Sequence, residues 1–421
     1  MRILHVIDRY WPAPGGAERH LQEYAERQAA EGHDVVVFTT DAFDLEYFWD
    51  SRKRRVDRGA DHHNGVRVER FAIQHLPPDR ISFRAVRRLL NEVERVPGAT
   101  PLQRRLARLS PPVPGLESAL RQCKGRFDVV HGMNLTFDAL LRPALRHARA
   151  AGVPFLVSPL IHLGESSRSW VRRNYTMRHQ LELLRQADVV FTQTATEIAF
   201  LVERGVDPER MVPAGAGVDP ARVTGGDGAR FRARHGLSGP IVCSAGTMHR
   251  DKGTFDVVLA MERLWARGSD ATLGLIGEAT DPFRRFLANR PPTTRARTLV
   301  LGYVSEEEKR DLLAAADVFA LPSRTDSFGI VFLEAWLNGC PVVAAAAGGV
   351  PDVVEDGRSG LVVPFGDVAA IADAIERLLT DRALARRLAA HGAAATRERH
   401  TWDHVYDRVR PWFASTRRRA A

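Results

Sequence analysis

Apolar positions along the chain recur with two periods, and the periods alternate. Short, nearly continuous runs rich in Val and Ile occupy Ile3–Ile7, Val35–Thr39, Val66–Phe71, Asp128–His131, Phe155–Ser158 and Val189–Thr192. Such runs suit parallel strands covered on both faces. Between the first two, Ala17, Leu21, Tyr24, Ala25 and Gln28/Ala29 recur at helical spacing, which predicts a helix from Ala17 to Glu31 with Gly32 as its C-cap. A second series follows the Gly/Pro-rich stretch Pro213–Gly228. Its strands are Ile241–Ser244, Thr272–Ile276, Thr298–Leu301, Val318–Leu321, Pro341–Ala345 and Leu361–Val363, separated by helices over Phe255–Arg267, Glu306–Ala315, Ile330–Asn338 and Val368–Leu379.

Two consecutive strand–helix series predict an α/β protein of two Rossmann-like, doubly wound parallel-sheet domains facing a cleft. The expected division is 1–213, 214–395 and a terminal segment 396–421. In that last segment Trp402, Val405, Val409, Trp412 and Phe413 mark a helix packing back on the body, followed by the basic tail Arg417, Arg418 and Arg419. Residues 76–115, punctuated by Pro77-Pro78, Pro97, Pro101, Pro111-Pro112 and Pro114, read as an insertion of short helices and turns.

Length and composition narrow the picture without deciding it. A chain of 421 residues, 44% apolar and 26% charged, is a soluble globular protein of two or three units. No apolar run approaches the ~18 residues needed to cross a bilayer, and Asp8 follows the first apolar run too soon for a secretory signal. Cys123, Cys243 and Cys340 lie far apart with no metal or redox spacing and read as reduced core residues, which favours the cytoplasm.

The net charge of +9 and pI near 10.0 point to an anionic partner. No nucleic-acid-binding signature accompanies the charge. Part of it is concentrated in Arg52-Lys53-Arg54-Arg55, and in Arg80, Arg84, Arg87, Arg88, Arg95, Arg104, Arg105 and Arg108. Leu89, Leu90, Val93, Leu102, Leu106 and Leu109 give the second group helical apolar spacing. That surface can rest on anionic lipid, or be an ordinary solvated Arg-rich face.

The chemistry is densest in Thr325-Asp326-Ser327-Phe328-Gly329-Ile330-Val331-Phe332-Leu333-Glu334. A helix beginning near Phe328 would leave Asp326 in the loop and Glu334 about two turns in. The free N–H groups of its first turn, Ile330 among them, would offer an anion site aided by the helix dipole. A carboxylate on each side of a phosphate pocket suits a sugar joined by diphosphate to a ribose. In Gly246–Gly253, Lys252 and Arg250 are placed to compensate a leaving diphosphate, or to be a solvated turn. Pro14-Gly15-Gly16-Ala17-Glu18 opens the first helix, and its paired glycines would bring backbone N–H groups to an anion, or serve only to turn the chain. The G-x-G-x-x-G spacing of a dinucleotide site is absent. His162 follows a strand end, where a neutral imidazole could meet sugar hydroxyls; His131 is a weaker candidate, and His62-His63 reads as a solvated loop. Hydrolase, P-loop and zinc-protease motifs are missing.

On these residues the chain resembles the retaining glycosyltransferases of the GT-B fold, a large family that includes bacterial mannosyl- and glucosyltransferases. Pro14–Arg19, Gly217-Val218-Asp219, Lys252-Gly253, the Asp326–Glu334 block and Gly348–Asp352 through Pro364 are similar to its segments, in the same order. The resemblance implies that Glu334 holds the donor ribose, Asp326 contacts the transferred sugar and Lys252 neutralises the diphosphate. His162 would contact the sugar near the reacting carbon, and these four residues would bear on catalysis. Gly15 and Gly16 would border the phosphates from the first domain. Phe328, Gly329 and Ile330 would present N–H groups, Gly302-Tyr303-Val304 would recognise the base, and Thr247 and Arg250 would complete the donor contacts. Neither a metal nor a cofactor is implied beyond the UDP- or GDP-linked sugar. Family members usually carry Glu at Asp326 and at Asp352, and often Arg where Thr247 stands.

The implied function is retaining transfer of a hexosyl group to a carbohydrate, lipid-linked or cell-envelope glycan acceptor, with nucleic acid excluded as a partner. The enzyme would be cytoplasmic, with peripheral contact to the inner membrane face through its basic insertion and the basic helix Arg168–Arg185. A phosphorylase or epimerase of the same fold, and a non-catalytic nucleotide-sugar-binding protein, are the competing readings.

Overall fold

Each apolar run becomes a strand, and all are largely buried except Thr298–Gly302, which is partly exposed, and Val66–Phe71, which is buried at alternate positions. The computed structural model describes residues 1–57, 59–123 and 125–414. In the first lobe the strands are β1 (Arg2–Val6), β2 (Asp34–Thr40), β3 (Gly59–His63), β4 (Val66–Phe71), β5 (Val129–Met133), β6 (Phe155–Ser158), β7 (Val189–Thr192) and β8 (Met211–Pro213). They form one sheet in the order β3-β4-β2-β1-β5-β6-β7-β8. The second lobe holds β9 (Ile241–Ala245), β10 (Thr272–Ile276), β11 (Thr298–Gly302), β12 (Val318–Leu321), β13 (Val342–Ala345) and β14 (Gly360–Val363), ordered β11-β10-β9-β12-β13-β14. All pairs are parallel except β3–β4. Helices cover both faces because the strands are apolar on both.

The order of each sheet reverses beside its first strand, at β1/β5 and at β9/β12. In doubly wound sheets ligands bind beyond the carboxyl ends of the strands at such a reversal. The loops that leave β9 and β12 carry Lys252 and Asp326, so topology alone makes these two neighbours.

Several expectations need correction. His62 and His63 end β3, an edge strand whose hairpin is closed by Asn64 and Gly65, both with positive φ (48° and 81°). Most of β3 is polar and exposed, so no apolar run marked it, although Asn-Gly is a strong two-residue hairpin signal. The helix after Asp326 spans Ile330–Leu337, because Gly329 takes a left-handed conformation (φ 86°) and caps it. Glu334 is therefore little more than one turn in. The helix predicted from Ala17 to Glu31 runs Gly16–Ala30, and Gly32 (φ 85°) lies just beyond the cap residue Glu31.

The 76–115 stretch contributes a longer helix, Asp79–Glu94, and a shorter one, Thr100–Ala107. Its expected apolar stripe divides. Leu90 and Val93 are buried, and Leu106 packs with Leu90, Ala107 and Met177, whereas Leu89, Leu102 and Leu109 face solvent. The basic stretch Arg168–Arg185 is two helices, Trp170–Tyr175 and Arg178–Arg185, broken at Thr176 and Met177. The last helix, Trp402–Ala414, lies on the first lobe, with Phe413 against His5, His131 and Phe191. Arg417, Arg418 and Arg419 fall outside the described residues. Among the described residues no helix is long and apolar enough to cross a membrane.

Candidate active site

Glycine geometry builds the second-lobe half of the site. After β9 a short 3-10 turn, Arg250–Lys252, ends at Gly253 in the left-handed conformation (φ 74°). A Cβ there would lie 2.3 Å from the carbonyl oxygen of Pro322, so only glycine lets this loop seat against the end of β12. Two further contacts fix the pair of loops. The Arg324 amide donates to the Asp251 carbonyl at 2.8 Å, and the Arg324 guanidinium reaches Asp251 Oδ1 at 2.7 and 2.9 Å. Lys252 Nζ then lies 2.9 Å from Asp326 Oδ1. Burial pushes the Asp326 carboxyl up, but the Lys252 ammonium, together with a hydrogen bond from Ser323, holds it below the usual carboxylate range.

Glu334 is held from the neighbouring helix Glu306–Ala315: Lys309 Nζ is 2.8 Å from Oε1 and 2.7 Å from Oε2. Burial opposes the Lys309 charge, yet the Glu334 carboxylate raises its pKa overall. Sequence reasoning missed Lys309, which reads within Glu306-Glu307-Glu308-Lys309 as part of a solvated helical face. Tyr303 is half exposed, and its hydroxyl donates to Glu278 Oε2 at 3.3 Å. Val304 is partly buried, and Thr247 is exposed. The Arg250 guanidinium stacks on the Phe255 ring 4.5 Å from its centroid, rather than turning to the Lys252–Asp326 pair. Arg324 is the arginine that stands beside that pair in sequence and in space.

The first lobe supplies His162 from the loop after β6. Leu160 there holds a positive φ of 53°, costly for a residue with a Cβ, and the turn is pinned by buried Glu197. Glu197 accepts from the Ile161 amide at 3.3 Å and from the Gln193 amide at 2.6 Å. Burial raises the Glu197 carboxyl to about 7. The His162 ring meets Tyr175 edge to face at 4.9 Å, and its Nδ1 is buried with no hydrogen-bond partner among the described residues. Burial first, and the nearby Lys252 ammonium second, lower the His162 pKa to about 4. The imidazole is thus neutral near pH 7. His131 lies under the sheet instead, bonded to His5 at 2.9 Å and to Ser158 at 3.0 Å, and is part of the core.

Gly15 caps the helix Gly16–Ala30, and the Glu18 carboxylate folds back over it: a Cβ on Gly15 would lie 2.1 Å from Glu18 Oε2. Glu18 also pairs with Arg9 at 2.5 Å. Beside it the Asp8 carboxyl is raised to about 7 by burial and by Glu18, and accepts from Asn134 at 2.9 Å. The sequence marked Asp8 only as the end of an apolar run.

The lobes meet around these groups. The Gly348 amide donates to the Gly164 carbonyl at 2.8 Å. Arg324 reaches Glu165 at 3.2 Å, and Asp352 accepts from the Thr196 amide at 2.7 Å, capping a first-lobe helix. The structure therefore brings His162, Lys252 and Asp326 together at the interlobe cleft, with Glu334 and Tyr303 farther along the second lobe.

Two family models match the chain: "Glycosyl transferase 4-like domain" over residues 15–217 and "Glycosyl transferases group 1" over residues 228–394. A D-inositol 3-phosphate glycosyltransferase of Corynebacterium aurimucosum is 35% identical over 48% of the chain, and the chain spans about half of that relative (50%). Glycogen synthase of Mycobacterium tuberculosis is 29% identical over 97% of the chain and 92% of its own length. Among solved structures, Anabaena HepE in complex with UDP superposes with a TM-score of 0.71 at 19% identity, covering 98% of this chain and 100% of that one. Sucrose-phosphate synthase of Thermosynechococcus elongatus gives 0.71 at 22%, covering 98% of each.

Proposed function

We propose, for a chain that belongs to the glycosyltransferases of the GT-B fold, retaining transfer of a hexosyl group from a UDP- or GDP-linked sugar to a hydroxyl held by the first lobe. The observation that carries this reading is the Lys252–Asp326 ion pair facing a neutral His162 across the cleft. HepE and its complexes with UDP and UDP-glucose support uridine as the base.

In this reading the bond between the sugar carbon and the diphosphate oxygen breaks, and its electron pair leaves with the phosphate. Lys252 shares its charge between Asp326 and that developing anion, which in comparable sites contributes ~3–4 kcal/mol. Asp326 receives sugar hydroxyls, and His162 donates to or accepts from another without becoming cationic. Glu334, held by Lys309, takes the ribose hydroxyls. Tyr303 lies by the base. The acceptor hydroxyl attacks from the departing phosphate's own face and gives that phosphate its proton.

Differential thermal denaturation with UDP-glucose and GDP-mannose tests the pocket, since a ligand of the folded state stabilises by RT ln(1 + [L]/Kd). One donor should raise Tm in the wild type and lose most of that effect in Lys252→Ala and Glu334→Ala. Equal shifts in all three proteins remove this assignment. Turnover without any acceptor at the full rate would instead favour a phosphorylase or epimerase.

A specific observation extends the reading to the membrane. Ile81, Leu89, Val96 and Leu102 are 46–68% exposed on the insertion, between Arg84, Arg88, Arg95 and Arg105. Apolar side chains among arginines suit an anionic bilayer surface and hence a lipid-linked acceptor. Sedimentation with anionic and neutral vesicles reads this directly, and equal, negligible binding to both rules it out.

A further inference from the structure

His162 has little of its own to hold it. Its Nδ1 is buried without a hydrogen-bond partner among the described residues, and its ring meets Tyr175 edge to face. The place of the imidazole is therefore set largely by the backbone of its loop. That loop carries Leu160 at a positive φ of 53°, a conformation that persists only where the surroundings hold it.

One side chain holds it from 36 residues away. Glu197 stands in the first turn of the helix Ala195–Glu203, whose N-cap is Thr194. The Thr194 hydroxyl accepts from the Glu197 amide at 3.2 Å. In a capping box the glutamate at this position turns back to its own helix end. Here one carboxylate oxygen does so, accepting from the Gln193 amide at 2.6 Å. The other leaves the helix and accepts from the Ile161 amide at 3.3 Å, next to His162. Glu197 is only 3% exposed, so burial works against its charge while these amides favour it. A cap alone calls for no such burial.

The same helix end is gripped from the other lobe. Asp352 accepts from the Thr196 amide at 2.7 Å, Gly349 leaves no room for a Cβ beside Thr194, and the Gly348 amide donates to the Gly164 carbonyl at 2.8 Å. Residues 348–352 thus touch both the helix that carries Glu197 and the loop that Glu197 holds. The contacts close a ring drawn from both lobes, with the His162 loop as one of its sides.

We propose that Glu197 and Asp352 are positioning residues for transfer: Glu197 sets His162 through the Ile161 amide, and Asp352 steadies Glu197 from the second lobe by capping the same helix. This rests on the glycosyltransferase reading, in which His162 meets the donor sugar. The imidazole is then in register with that sugar only while Asp352 is seated across the cleft.

Amide hydrogen exchange of the full-length protein without ligand reads the geometry alone. Exchange at Ile161 should quicken about tenfold in Glu197→Gln, because the amide side chain offers one oxygen to two N–H donors. Asp352→Ala, an exposed change, should quicken it several-fold from across the cleft. Asp352→Glu keeps the carboxylate and should stay within about twofold of wild type. Unchanged exchange at Ile161 in Asp352→Ala, or equal quickening in Asp352→Glu, overturns the proposal. Release of UDP from UDP-glucose, with water as acceptor, reads the consequence. Glu197→Gln should lower kcat about tenfold with KM within about twofold, and should cost nothing further in a His162→Ala background. No loss of kcat, or an equal loss with and without His162, also overturns it. Should the wild type release no UDP, or His162→Ala release it at the wild-type rate, the reading above falls alone. Exchange at Ile161 then still decides whether Glu197 and Asp352 hold the loop.

Discussion

The two walls of the cleft are built from the same kind of sheet and yet solve opposite electrostatic problems. On the second lobe the site side chains are charged and paired within the lobe: Lys252 with Asp326, Lys309 with Glu334, and Arg324 with Asp251. On the first lobe the corresponding groups are pressed toward their neutral forms. His162 is lowered to about 4, while Asp8 and Glu197 are raised to about 7, in each case chiefly by burial. A wall of fixed charges suits a ligand that brings a diphosphate. A wall of neutral, desolvated groups suits a hydroxyl that must stay close and dry.

Removing a charge from the second lobe should therefore cost the most. Lys252→Ala takes away the cation proposed to face the leaving group and strands the Asp326 carboxylate. We expect kcat/KM to fall about 10²–10³-fold, in the range of other lost electrostatic contacts to a developing anion. Stability should fall as well, because a buried carboxylate is left without its partner. Lys252→Ala, Asp326→Asn should regain stability without regaining turnover. A Lys252→Ala enzyme with wild-type turnover would remove the contrast between the walls.

The next largest effect lies where the walls touch. Gly349 has no room for a Cβ: one would stand 2.6 Å from the Ser327 carbonyl oxygen in its own lobe and 2.6 Å from Thr194 Oγ1 across the cleft. Its backbone angles are ordinary, so the constraint is the approach of the lobes rather than φ. Gly349→Ala should destabilise by ~1–3 kcal/mol and weaken donor-dependent closure, as overpacking does elsewhere. Chemical denaturation measures the first, and donor Kd against kcat the second. Were both unchanged, the lobes would not be held at this point.

How far the sequence reached follows the same divide. Parallel strands buried on both faces announce themselves as apolar runs, so the sheets and their order of appearance were legible. The second-lobe site was legible too, because its charges sit on local loops next to glycines: Lys252 beside Gly253, and Asp326 three residues before Gly329. The failures are long-range or conformational. Lys309 looks like any helical lysine until the fold sets it on Glu334, 25 residues away. Arg324 looks like the start of a loop until Asp251 holds it. Asp8, Glu18 and Asn134 meet only because β1 and β5 are adjacent, though 126 residues separate Asp8 from Asn134. Gly329 shifted the helix start through one positive φ, which no hydrophobic period encodes. The β3 hairpin was missed for a different reason: Asn64-Gly65 was present, but the polar strand before it carried no apolar signal.

Acid should separate the walls. Five first-lobe histidines have folded-state pKa values below 6.5: His5 and His162 at about 4, His20 at about 3, His131 well below, and His147 lowered, all driven first by burial. The unfolded chain binds these protons as pH falls below ~6.5 and the folded lobe does not, so each removes stability between there and its folded pKa. Asp8, Glu18 and Glu197 shift upward and act in the opposite sense over that range, but they are fewer. Asp326, with its folded pKa lowered, contributes stability above its unfolded value that is lost only as pH falls through the range below ~3.9. Hydrogen exchange at pH 5, corrected for intrinsic rates and compared with pH 7, should show β1, β5 and β6 losing protection before β9 and β12. Simultaneous loss in both sheets would contradict the assignment.

The smallest expected effect concerns a contact between the walls that is neither charged pair nor neutral packing. Arg54, from the loop after β2, is held by Asp44, whose oxygens lie 2.8–3.2 Å from its nitrogens. Its guanidinium stacks over Phe43 at 4.5 Å and, across the cleft, over Tyr303 at 5.6 Å. At an exposed position such a stack contributes ~0.5–1 kcal/mol. Tyr303 stands where the donor base is proposed to lie, so Arg54 is a positioning residue for the closed donor pocket and not for the chemical step. Arg54→Ala should raise donor KM about two- to fivefold, with kcat within twofold. Arg54→Lys should restore little, because an ammonium lacks the flat face that stacks between two rings. If the loss fell on kcat instead, Arg54 would belong with Lys252 among the groups that meet the developing charge, and the second wall would extend across the cleft.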